Sequence, residues 1–136
     1  MGIRERGTGF DKMIINEAEA QEQLNEWVDK YCPENQNKVL FCGYEKHHEH
    51  NYEGYTRYRR MHTAYWCEIY VKPLYKNRPT LRKIVLWHEF CHAWGWLSLG
   101  VFGTGHGWEF FKRIIQKPHL FLGQVVLAFV VPFLKG

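Results

Sequence analysis

The 136-residue chain is of single-domain size, and its 6 Trp, 8 Tyr and 9 Phe exclude a disordered polymer and imply a folded body with a modest core. No period of 20–50 residues runs through it, which excludes solenoids and propellers. The formal charge of +4 is uneven, since residues 1–56 carry 6 Lys/Arg against 11 Asp/Glu and residues 57–83 carry 8 against 1.

Residues 1–12 are glycine-rich and charged, and a flexible N-terminus is expected there. They hold no apolar run of secretory-signal length, so the expectation is a cytoplasmic protein whose Cys32, Cys42, Cys67 and Cys91 are free thiols. From Asn16 to Tyr31 the residues favour a helix, with Ala20, Leu24, Trp27 and Val28 on one face. Asn16 and Glu19 fit a capping box, and Pro33 marks the stop. Residues 38–45 and 55–61 read as strands around the polar turn KHHEH, and 63–71 alternates Tyr65, Cys67, Ile69 and Val71 against Trp66, Glu68 and Tyr70. A small antiparallel sheet is expected. Pro73 and Pro79 bracket a loop, after which Thr80 can cap a helix that is apolar nearly all round and so buried. A glycine-rich loop over 100–105 precedes a shorter helix over 106–117, stopped by Pro118.

The block from Leu120 to Leu134 is apolar but interrupted by Gly123, Gln124 and Pro132, and falls short of the ~20 residues that span a bilayer. A membrane span is therefore not expected, and 118–136 is read as an apolar tail packing on the domain, on a partner or on a second copy. The predicted class is α+β: an N-terminal helix, a small antiparallel sheet, a buried helix, a second helix and the tail, with the domain over 13–117.

The chemistry lies in His88-Glu89-Phe90-Cys91-His92. On a helix, residues i and i+4 share a face one turn apart, so His88 and His92 converge on one metal ion. Glu89 lies about 100° round, close enough to act as the base that activates water. Two histidines and a glutamate in so apolar a helix would be costly to bury without partners. A catalytic zinc needs a third protein ligand and an open fourth position. Downstream, His106 follows a Gly-Thr-Gly loop, Glu109 lies one turn later, and His119 is late.

HEFCHAW at 88–94, followed by HGWEFFK at 106–112, resembles the SprT-like zinc metallopeptidases, the Spartan-like protease core. The resemblance is sharp over 81–115 and absent over 118–136, where many relatives carry a cysteine zinc ribbon. It implies Zn2+ held by His88, His92 and His106, with Glu89 as the catalytic base of an endopeptidase cleaving protein substrates, in some relatives proteins associated with DNA. Two other readings remain: a non-catalytic, zinc-stabilised binding module, and a membrane-associated peptidase anchored by 120–134.

Weaker signals surround this core. His47, His48 and His50 read as a solvated loop, and Cys91 as a small core residue. Arg57, Arg59, Arg60, Lys72, Lys76, Arg78, Arg82 and Lys83 are interleaved with Tyr55, Tyr58, Tyr65 and Trp66, the cation-plus-aromatic pattern of a single-stranded DNA surface, though a strand would divide them between two faces. Strand 63–71 is expected to pair with an extended substrate, and Tyr65, Tyr70 and His62 are candidates to polarise its carbonyl.

Overall fold

The face predicted for the first helix organises the core. In the computed structural model, which describes residues 9–134 with side chains over 17–128, helix α1 (Gly9–Tyr31) buries Ala20, Leu24, Trp27 and Val28. The helix starts well before Asn16, which therefore does not cap it. The expected flexible N-terminus lies outside the described residues over 1–8, and is helical from Gly9.

The α+β class holds, but the sheet is mixed. Strands β1 (Val39–Tyr44), β2 (Gly54–Met61) and β3 (Ala64–Val71) lie in the order β1-β3-β2. β2 and β3 form an antiparallel hairpin turned at His62, which takes φ 55°, while β1 runs parallel to β3. β3 is the central strand, paired on both sides, and so has no free edge for the extended substrate expected there. Its Cys67, Ile69 and Val71 are all 0% exposed, and a fully buried face is best satisfied with pairing on both sides. The free edge of β1 is partly covered by Gln21 of α1, whose amide donates to the Val39 carbonyl at 3.0 Å and accepts from the Phe41 N–H at 2.7 Å. β2 forms the other edge.

Helix α2 (Pro79–Leu99) crosses the sheet with most of its surface buried. Its N-cap is Arg78 and Thr80 does not cap it, because Pro79 at N1 already suits a helix start that needs no N–H. Trp87 packs edge-on against Trp27, centroids 5.1 Å apart, and its indole N–H donates to the Ile114 carbonyl at 2.9 Å. Those two contacts tie α2 to α1 and to α3 (Trp108–Ile114).

The tail is helix α4 (Pro118–Leu134), packed along α2. Leu120 and Leu127 are buried, whereas Leu122, Val125 and Val126 are exposed. Gly123 permits this packing, since a Cβ there would stand 2.6 Å from Ile84 Cδ1. No helix among the described residues is long and apolar enough to cross a membrane. All four cysteines are free, with Cys42 exposed and the others buried.

Candidate metal centre

The helical spacing of α2 puts His88 and His92 on one face, their Nε2 atoms 3.2 Å apart. The third imidazole arrives through a close main-chain contact. Gly95 of α2 faces Gly103 of the following turn so tightly that a Cβ on Gly95 would lie 2.1 Å from the Gly103 carbonyl oxygen. The loop is thereby folded back over α2 and carries His106 to the other two rings. His106 Nε2 lies 3.0 Å from that of His92 and 3.4 Å from that of His88. His106 precedes α3 instead of opening it.

Phe110, one turn beyond His106, touches all three rings, stacking on His92 with centroids 4.5 Å apart and meeting His88 and His106 edge-on at 5.1 and 4.9 Å. Glu109 points elsewhere, pairing with Lys112 at 3.1 Å and Arg113 at 3.9 Å, and His119 is exposed. Of the three candidates for third ligand, only His106 joins the cluster.

These separations suit a metal. A tetrahedral ion with bonds of about 2.05 Å holds its nitrogens roughly 3.3 Å apart, and the three Nε2 atoms lie within 3.0–3.4 Å of one another. Without a cation the arrangement is awkward, because three converging ring nitrogens cannot all donate and accept along good lines. Burial, with the neighbouring imidazoles, lowers the pKa of His88 to about 4 and of His92 to about 3. Both rings are therefore neutral at ordinary pH, the form that ligates metal. His88, His92 and His106 form a set that can hold a metal ion.

Glu89 is 6% exposed. The Thr56 hydroxyl of β2 donates to its Oε1 at 2.8 Å and lies 3.2 Å from its main-chain oxygen. Burial raises the Glu89 carboxyl to about 7, and the Thr56 hydrogen bond opposes that rise. Glu89 and the histidines line a cavity of about 380 Å³, to which Tyr52, Tyr55 and Tyr58 and the apolar Ile84, Val85 and Leu127 also contribute.

Several site residues are absent from the sequence reading. None of Tyr65, Tyr70 and His62 lines the cavity; Tyr58 does, because Gly54, Thr56 and Tyr58 share the face of β2 turned to α2. Period-two alternation along β2 carries that signal. Gln124 of α4 lies with its amide nitrogen 2.5 Å from His88 Nδ1. As the polar residue in the middle of an apolar helix, it is a side chain that must find a partner.

The weaker signals have their own local contacts. His47 Nδ1 accepts the main-chain N–H of Glu49 and of His50, each at 3.1 Å. The basic segment is divided: Arg59 pairs with Glu68 at 3.1 Å on the outer face of the sheet, Arg60 lies over the Trp96 ring, and Arg82 is buried against Glu19.

No family model, no curated protein and no solved structure matches the chain.

Proposed function

We propose that the chain is a zinc-dependent endopeptidase with His88, His92 and His106 as metal ligands and Glu89 as general base. The observation that carries the reading is the convergence of three imidazole nitrogens beside a buried carboxylate, all facing one cavity. The resemblance of HEFCHAW and HGWEFFK to the SprT-like pattern supports it. So does the chemistry of the donors: three imidazoles suit zinc, and the exposed side of His106 leaves room for a fourth ligand from solvent.

Zinc held there would supply Lewis acidity toward water and a substrate carbonyl. Glu89 takes a proton from water entering the site and returns it to the leaving amine. Thr56 fixes the carboxylate through its hydroxyl. Extended substrate pairs with the edge strand β2, whose main chain borders the cavity, so β2 takes the role that the sequence gives to 63–71. Tyr58 on that strand lines the cavity and is the candidate to donate to the carbonyl oxygen.

The test is metal content beside hydrolysis of an unfolded protein such as casein. The parent should hold about one zinc per chain. Glu89→Gln should keep that zinc and lose at least ~100-fold in rate. Equal inertness of parent and Glu89→Gln, with zinc retained in both, would replace the peptidase by a zinc-stabilised binding module.

A further inference from the structure

We infer that Gln124 is a positioning residue of the metal centre, holding His88 in the tautomer that binds metal, so that α4 forms part of the site. The inference rests on the metal-centre reading above. The Nε2 atoms of the three histidines converge, so a ligating His88 carries its proton on Nδ1. That N–H points away from the other two rings, into the interior, where it needs an acceptor. The Gln124 amide lies 2.5 Å from Nδ1.

As placed, the amide nitrogen is the near atom and Oε1 is buried without a partner. The two ends of an amide have the same shape, and its orientation follows from the hydrogen bonds it must make. Here the tautomer decides it: Nδ1–H requires Oε1. Turned that way, the amide accepts the proton, fixes the ring plane and makes Nε2 the better donor to a cation.

The rest of α4 serves this contact. Gly123 lets the helix close on Ile84, and Leu127, one turn beyond Gln124, seals the cavity wall. An isolated glutamine in an apolar helix facing only hydrocarbon would be a net cost.

Three proteins test the inference: the parent, Gln124→Leu and Gln124→Glu, each titrated with zinc against a chromogenic chelator. Leu122→Ala, on the exposed face of α4, serves as control. Gln124→Leu should bind zinc ~10–100-fold more weakly. Gln124→Glu restores an acceptor and should bind at least as tightly as the parent, and Leu122→Ala should match the parent. Equal weakening in Gln124→Leu and Gln124→Glu, or none in either, overturns the inference while leaving the metal centre intact. A parent without zinc overturns the metal centre itself. If Gln124→Leu does not fold, 15N NMR of the zinc-loaded parent decides: the inference requires a proton on His88 Nδ1, and a bare Nδ1 overturns it.

Discussion

Helices α2 and α4 are both strongly apolar and run against each other, yet they contribute to the site in opposite ways. α2 is buried nearly all round, and its chemistry is local: His88, Glu89 and His92 come together because of the pitch of one helix. Over its described side chains, to Ala128, α4 is buried along one side only, and its contact with the candidate metal centre through Gln124 has meaning only because Gly123 and Leu127 press that side onto α2. The residues that read as interruptions of the apolar tail, Gly123 and Gln124, are the ones that make the contact. A polar or glycine break in an otherwise apolar helix is thus a place to look for a tertiary partner.

The comparison can be tested first at the ligands, where the largest effect is expected. His88→Ala, His92→Ala and His106→Ala should each lose stoichiometric zinc by elemental analysis, while Glu109→Ala keeps it. Zinc retained at one per chain in His106→Ala would remove the ligand that the returning loop supplies.

Acid should next separate α2 from the rest of the molecule. In the metal-free protein, His88 and His92 titrate at about 4 and 3 when folded, against an ordinary 6.5. The unfolded chain therefore takes up protons below pH 6.5 that the folded one refuses, and stability falls from there toward pH 3. Glu89, raised from 4.5 to about 7, acts in the opposite sense, since its penalty grows as pH rises through that interval. The two histidines outweigh the single carboxyl. Melting temperature should drop more between pH 7 and pH 4 for the metal-free parent than for His88→Gln/His92→Gln. Parallel curves would mean that the rings are not buried as described.

Smaller effects then probe the packing that delivers His106 and Gln124. Gly95→Val should cost at least ~3 kcal/mol and loosen zinc, because the backbone of Gly103 cannot yield to a side chain. Gly107→Ala, with nothing within 4 Å of the added Cβ, should leave both stability and zinc affinity near the parent's. On α4, Leu127→Ala should cost about 2 kcal/mol by denaturant melts. Val126→Ala, 58% exposed, should stay within about 0.5 kcal/mol. Equal costs at the two positions would show that the exposed side of α4 is covered in solution.

Much of this was legible in the residues themselves. The periodicity of α1 marked its buried face, and the spacing of the HExxH segment placed two imidazoles and a carboxylate side by side, because both features depend only on helical pitch. Composition and the order of elements were enough for the α+β class. Strand pairing was not legible. β1 and β2 flank the KHHEH turn and read as neighbours, but the deeply buried Cys67, Ile69 and Val71 draw β3 between them, which depends on which strand the helices cover. The choice of His106 over Glu109 rested on its place after the Gly-Thr-Gly loop and on likeness to a family pattern, and the Gly95–Gly103 contact adds the path of that loop. Thr56, Tyr58 and Gln124 join the site from a strand and a helix distant in sequence. Local sequence fixes what a helix face carries; only tertiary packing decides which faces meet, because a contact such as Gly123 on Ile84 or Gln124 on His88 leaves no periodic trace in either segment alone.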